Sequence, residues 1–138
     1  MHFSIITPMR TALEAEVSSI RLPGAEGELE ILPGHTDLIC AVANGELLYR
    51  PVGEAEGSLF VGGGFLQVHA DRVLLVTDTA LQVEDINTDS IQEALERAQN
   101  ALRNSASVLS REEQTKLAAS IAKQLALLEY NRKRRHSH

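Results

Sequence analysis

The chain has 138 residues, 43% of them hydrophobic and 23% charged, which is the ordinary composition of a soluble globular protein. Its formal net charge of −6 argues against nucleic acid as the main ligand, and no apolar run approaches the ~20 residues that a membrane-spanning helix needs. The single cysteine, Cys40, excludes an internal disulfide and fits a reducing compartment. The segment 1–6 lacks the basic n-region of a signal peptide, so we expect none.

The first 85 residues have the pattern of short β-strands separated by turns. The predicted strands are residues 17–22, 28–32, 38–43, 46–50, 58–61, 65–69, 73–77 and 80–84. The turn signals are Pro23-Gly24, Pro33-Gly34, Asn44-Gly45, Gly62-Gly63-Gly64 and Ala70-Asp71-Arg72. Asn44-Gly45 predicts a hairpin because both residues accept a positive φ. Many short strands at close spacing indicate a β-sandwich or barrel rather than an α/β sheet.

After Ile86 the spacing of apolar residues changes to that of an α-helix. The apolar stripe of the first predicted helix consists of Ile91, Ala94, Leu95, Ala98, Ala101 and Leu102. Two caps are compatible with its start: a capping box of Ser90 with Glu93, or Asp89.

A second helix follows the polar break at residues 104–109. Ser110 and Glu113 form its predicted capping box. Its apolar stripe consists of Leu117, Ala118, Ile121, Leu125 and Leu128. The sequence therefore predicts an α+β protein in which a β-sandwich, residues 1–86, precedes an α-helical hairpin, residues 87–138.

Charge is distributed unequally between these two parts. Residues 1–85 hold 4 basic and 13 acidic side chains, whereas residues 86–138 hold 9 basic and 6 acidic ones. Such asymmetry suggests that the two parts have different partners. The second helix ends in a basic cluster, Arg132 to Arg135. Either attraction to the carbonyl end of the helix or attraction to an acidic partner surface explains this cluster.

The polar residues show no arrangement that is typical of an enzyme. Gly62-Gly63-Gly64 is followed by neither a helix start nor a Lys-Ser/Thr pair, so we interpret it as a bulge or tight crossover and not as a phosphate loop. The five histidines lack ligand spacing, and His136 and His138 allow adventitious metal binding at most. We expect Cys40 to be an inert, buried thiol. The sequence predicts no catalytic residue, no cofactor and no metal site.

Three sequence motifs occur together and in a fixed order. The first is Gly24-x-x-Gly27-Glu28-x-x-Ile31-x-Pro33-Gly34-His35-x-x-Leu38, and it is followed by Gly63-Gly64-Phe65 and Val76-Thr77-Asp78-Thr79-Ala80. With these motifs, and with a sandwich followed by two helices, essentially the whole chain resembles the epsilon subunit of F-type ATP synthases.

The resemblance implies a non-catalytic subunit of the central stalk, which rotates with the gamma subunit and the membrane c-ring and couples H⁺ or Na⁺ flow to ATP synthesis. It implies that the sandwich binds both of these partners, with Glu28, Pro33, Gly34 and His35 at the corner facing the c-ring. Such a subunit would lie peripherally at the cytoplasmic face of the bacterial cell membrane and would meet the membrane only through the c-ring.

The resemblance also implies a regulatory role for the hairpin. In many bacterial members it either folds against the sandwich or extends along gamma toward the catalytic alpha/beta head, where it blocks ATP hydrolysis. The basic residues that would face acidic segments of the head are Lys116, Lys123, Arg132, Lys133, Arg134 and Arg135.

One stretch of the hairpin departs from the family pattern. Members that bind ATP carry Ile/Leu-Asp-x-x-Arg-Ala at the start of the first helix, and here Asn87 and Ser90 replace the aspartate and the arginine. We therefore predict weak or absent nucleotide binding. The alternative to a stalk subunit is a free-standing β-sandwich adaptor with a helical interaction arm.

Overall fold

The computed structural model describes residues 1–105 and 107–136, which form two compact units that divide between Gln82 and Val83. This division lies four residues before the predicted one, which followed Ile86. Ser137, His138 and the side chain of His136 lie outside the described residues, so the interpretation of His136 and His138 is not addressed by the structure.

The first unit is all β. Its described strands are β1 (His2–Ile6), β2 (Thr11–Gly24), β3 (Gly27–Ile31), β4 (Leu38–Pro51), β5 (Gly57–His69), β6 (Arg72–Val76) and β7 (Ala80–Leu81). They pair in the order β1-β6-β5-β4-β2-β3, β7 adds to β5, and a further pairing of β1 with β2 closes the sheet on itself. Only the β1–β6 pairing is parallel among these. The unit is thus the predicted sandwich, with its two layers joined by shared strands.

An aliphatic core fills the space between the layers. The core side chains with no exposed surface are Phe3, Ile5, Val17, Ile20, Ile31, Leu47, Val61, Leu66 and Leu75. Burying each side chain of this size contributes about 1.5–3 kcal/mol. These core residues come from six strands, β1 to β6, and they tie the sandwich together as one body.

The Asn44-Gly45 hairpin prediction is wrong. Both residues lie inside β4, where Asn44 pairs with Gly62 and Gly45 with Val61 of β5. The backbone bends here instead of reversing, because Gly45 has a φ of 156° and Gly63 a φ of 82°. Two strands of 14 and 13 residues can therefore pass from one layer to the other.

The Gly62-Gly63-Gly64 stretch also lies inside a strand, β5, and does not separate two strands. Its register with β4 is the same before and after the glycines, so it is not a bulge. The expectation that side chains cannot fit there is confirmed at Gly64, where a Cβ would lie 2.0 Å from the carbonyl oxygen of Val76. Gly64 is thus required for the close approach of β5 to the backbone at Val76.

Other boundaries differ from the predictions at the ends of strands. Strand β1 and the first half of β2 were not predicted, although Phe3 and Ile5 alternate with His2 and Ser4. The Pro23-Gly24 turn is displaced by two residues, because β2 continues to Gly24 and pairs there with Gly27. The strand predicted to reach Glu84 ends at Leu81, and Val83–Asp85 forms a 3₁₀ turn.

The second unit is the predicted helical hairpin, with α1 (Thr88–Ser105) and α2 (Arg111–His136). In α1 the predicted apolar stripe is confirmed: its six residues are buried or half-buried. In α2 the predicted stripe is partly wrong, because Ala118 and Leu125 are exposed while Leu127 and Tyr130 are buried. At about 100° per residue, both exposed positions lie roughly opposite Leu127 on the helix.

Candidate functional site

The Pro33-Gly34-His35 corner is a tight turn between β3 and β4. The amide of His35 donates to the carbonyl of Leu32 at 3.0 Å, with proline in the second position and glycine at a φ of 86° in the third. This is the pattern of a type II turn, which requires a positive φ at its third residue. His35 is half-buried, and its Nδ1 lies 2.7 Å from the carbonyl oxygen of Thr36.

Glu28 lies on the exposed face of β3, on the approach to this turn. Glu28, Glu30 and Leu32 alternate with Leu29 and Ile31 and are all exposed. Four residues of extended strand separate Glu28 from Leu32, which corresponds to about 13 Å. The predicted corner residues therefore form a strip that ends in the turn, and not one tight cluster.

Asp37 lies two residues after this turn and contacts residues that are distant in sequence. Its carboxylate accepts from the backbone amide of Ala70 at 3.1 Å and lies 2.9 Å from His69 Nδ1. The Ala70 amide, followed by His69, holds the pKa of Asp37 below its ordinary value. Ala70, with a φ of 53°, belongs to the two-residue turn between β5 and β6. The Asp37 carboxylate therefore links the segment after the corner to this turn.

An exposed apolar row crosses four strands on the outer surface of the sandwich. Val76 of β6 is paired with Ile6 of β1 and with Phe65 of β5, and Phe65 is paired with Ala41 of β4. Val76 is 48% exposed, Ile6 40% and Phe65 64%, and Ala41 is also exposed. Strands lie about 4.8 Å apart, so this apolar row is about 14 Å long. It has the character of a surface that a partner covers.

The six basic residues that the resemblance singled out are spread along α2. Lys116 is exposed near the start of the helix and lies 3.7 Å from Glu112, whereas Lys123 and Arg134 are half-buried. At about 100° per residue, these three residues follow one line along the helix, close to buried Leu127. The four residues 132–135 cover most of the circumference. These four residues are therefore adjacent in sequence, but their side chains do not share one face of the helix.

Arg132 and Arg135 make contacts within the second unit. Arg132 donates twice to Glu129, with 3.1 Å between Nε and Oε2, and this bidentate pair lowers the pKa of the Glu129 carboxyl. Arg135 donates from Nε to Asn131 and from Nη2 to the carbonyls of Val83 and Ile86 at 3.0 and 3.5 Å.

The helix starts are capped by side chains. Asn87 Oδ1 accepts from the amides of Asp89 and Ser90 at 3.0 and 3.2 Å, so Asn87 is the cap of α1, and both caps proposed from the sequence are wrong. The capping box of α2 is confirmed, because Glu113 donates its amide to Ser110 Oγ at 3.1 Å and Ser110 donates to Glu113 Oε1 at 3.4 Å.

Among residues 1–105 and 107–136, no three histidine, cysteine or carboxylate side chains are grouped closely enough to hold a metal ion. Cys40 is half-buried, and burial raises the pKa of its thiol, which opposes thiolate chemistry. In the part of the chain that the structure describes, no helix is long and apolar enough to cross a bilayer.

Comparison with known proteins shows consistent relationships over both units. The family model for the β-sandwich domain of the ATP synthase delta/epsilon chain matches residues 1–83. The ATP synthase epsilon chain of Moorella thermoacetica is 39% identical over 103 residues, covering 75% of this chain and 77% of that protein.

Two solved structures share the fold of the chain. One is from the Euglena gracilis mitochondrial ATP synthase, with a TM-score of 0.72 and 22% identity over 92% of this chain and 78% of the other. The second is from the central stalk and c-ring of the Tetrahymena thermophila mitochondrial ATP synthase, with a TM-score of 0.71 and 14% identity over 95% and 96% of the two chains. The family match and the sequence identity confirm the resemblance: the chain belongs to the delta/epsilon chain family of ATP synthases.

Proposed function

We propose that the chain is a non-catalytic rotor subunit in the central stalk of a bacterial F-type ATP synthase, and that it couples ion flow to ATP synthesis. Family membership supports this assignment. The observation that carries it is the exposed apolar row of Ile6, Val76, Phe65 and Ala41, which is suited to burial against a partner. We assign this row to the gamma subunit.

The strip of Glu28, Pro33, Gly34 and His35 is the proposed contact with the c-ring. The type II turn and the Asp37 anchor support the role, because a rotor contact that transmits torque benefits from a corner with few conformations. Through this contact the subunit would sit peripherally at the cytoplasmic face of the membrane.

We propose that the hairpin acts as a brake on ATP hydrolysis when it extends toward the alpha/beta head. A 26-residue α2 is about 39 Å long, which gives it the reach of an arm. The basic residues Lys116, Lys123 and 132–135 would supply attraction to acidic segments of the head. We also propose weak or absent nucleotide binding, since Asn87 already occupies the amides of Asp89 and Ser90.

Replacement of a valine on the apolar row tests the gamma assignment. Val76→Lys places a charge in the centre of the row, and we expect binding to the gamma subunit to weaken at least tenfold, because an unpaired charge would have to be desolvated. Val52→Lys is the matched control, since Val52 is also an exposed valine, 66% accessible, but lies outside the row. Calorimetric titration of gamma with each full-length variant gives the affinities.

Equal affinities of the two variants for gamma would contradict the assignment of the row. Failure of the unmodified chain to bind gamma at all would favour the adaptor alternative.

A further inference from the structure

The end of α2 extends past the start of α1 in the antiparallel hairpin. Helix α2 has 26 residues and α1 has 18, so α2 is longer by about 12 Å. This difference corresponds to the last eight residues of α2, Glu129–His136. We call these residues the overhang. One of them, Arg135, contacts the segment that precedes α1, residues 83–86.

The Arg135 guanidinium makes this contact. It donates to the carbonyl oxygens of Val83 and Ile86, and it is oriented by a bond from Nε to Oδ1 of Asn131, which is 9% exposed. The guanidinium thus bonds to two residues that precede Arg135 by 52 and 49 positions in sequence. A guanidinium suits such a bridge because its donors point in fixed directions.

The capping of α1 leaves an acceptor for this arginine. In a helix that continued toward the N-terminus, the amide of Ser90 would donate to the carbonyl of Ile86. Here that amide donates to the side chain of Asn87 instead, at 3.2 Å. The Ile86 carbonyl is therefore not used by the first turn of α1, and Arg135 donates to it. The cap and the Arg135 contact complement each other.

We propose that Arg135 is a latch that holds the overhang of α2 against residues 83–86 and so sets how readily the hairpin opens. This inference rests on the proposed brake, and it changes the role of one residue within it. As a latch, Arg135 restrains the arm in its closed form; as a head contact, it would strengthen inhibition. Replacing Arg135 should therefore strengthen the inhibition of ATP hydrolysis if the residue is a latch, and weaken it if the residue contacts the head.

Hydrogen exchange of the isolated full-length chain tests the latch directly. Arg135→Lys keeps the charge but cannot make the same planar set of bonds, and Arg135→Gln removes the charge as well. We expect exchange of the backbone amides in both 83–90 and 129–136 to accelerate about threefold to tenfold in each variant. Arg103→Gln is the matched control, because Arg103 is exposed in the last turn of α1 and carries the same charge. Unchanged exchange, or acceleration confined to 129–136, overturns the latch.

ATP hydrolysis by the reconstituted complex separates the latch from the brake. If Arg135 restrains the arm, Arg135→Lys inhibits hydrolysis more strongly than the unmodified chain, while Arg103→Gln does not. Equal inhibition by Arg135→Lys and the unmodified chain overturns the regulatory role of the latch. If exchange accelerates at both segments but no version of the chain inhibits, the latch is upheld and the proposed brake is wrong.

Discussion

The sandwich and the hairpin are held together by different kinds of contact. In the sandwich, a closed ladder of strands surrounds core side chains such as Phe3, Ile20 and Leu66 that have no exposed surface. In the hairpin, the buried apolar residues are few, and polar groups such as the Asn87 cap and Arg135 tie the helix ends. A body of the first kind opens only by global unfolding, whereas one of the second kind can open locally at low cost.

This difference corresponds to the two roles that we propose. A rotor contact must keep its shape under load, and a brake must change its shape. Charge follows the same division: unit 1, residues 1–82, holds 4 basic and 11 acidic side chains, and residues 83–138 hold 9 and 8. The acidic sandwich and the nearly neutral hairpin, which ends in a basic cluster, are therefore suited to different partners.

The largest predicted effect comes from matched leucine truncations in the two units. Leu66→Ala removes a fully buried side chain from the sandwich core and should lower its free energy of unfolding by about 3–5 kcal/mol. Leu127→Ala should cost the hairpin about 2–3 kcal/mol and leave the sandwich unchanged, since Leu127 belongs to the smaller set of buried residues. The chain has no tryptophan, so Tyr49 in β4 and Tyr130 in α2 report separately on urea unfolding when the other is replaced by phenylalanine.

An equal shift of the Tyr49 and Tyr130 unfolding transitions by Leu127→Ala would contradict the proposed difference between the two units. The two units would then unfold as one cooperative body, and the hairpin could not open without the sandwich.

A smaller effect should appear at the corner of the sandwich where the Asp37 carboxylate contacts the Ala70 amide and His69. Because the folded pKa of Asp37 is lowered, its contribution to stability is present above its ordinary pKa of 3.8 and is lost as the pH falls through the folded value. The melting temperature of Asp37→Ala should therefore be below that of the unmodified chain at neutral pH and should converge with it in acid.

Glu26→Ala serves as the control for Asp37→Ala, since Glu26 is an exposed carboxylate in the turn between β2 and β3. Hydrogen exchange of residues 32–38 should increase at neutral pH only in the Asp37 variant. A difference in melting temperature that grew toward acid pH would have the wrong sign for the proposed anchor.

Local sequence signals predicted most of the architecture because turns and helix periods are short-range properties. The Pro33-Gly34 turn, the Ser110–Glu113 box and the α1 stripe all follow from residues within a few positions of one another. Asn44-Gly45 misled the prediction because its local preference for a turn is overridden by pairing with Gly62 and Val61, which are distant in sequence. Strand β1 was missed although its alternation is present, since its partners β2 and β6 decide that it is a strand.

The candidate surfaces were predictable to different degrees. The corner residues could be identified from the sequence because proline and glycine mark the turn. The apolar row could not, because Ile6, Val76, Phe65 and Ala41 are brought together only by strand register. For the same reason, the contacts of Asp37 with His69 and of Arg135 with Val83 join residues too far apart in sequence for any local pattern to indicate them.

The division of labour between the two units is tested most directly by ATP hydrolysis in the cognate complex depleted of this subunit. The full chain and a version ending at Gln82 would each be added back, with binding measured alongside activity. We predict that both versions bind the complex and that only the full chain inhibits hydrolysis. Inhibition by the shortened version to the same extent would contradict it, because the brake would then reside in the sandwich.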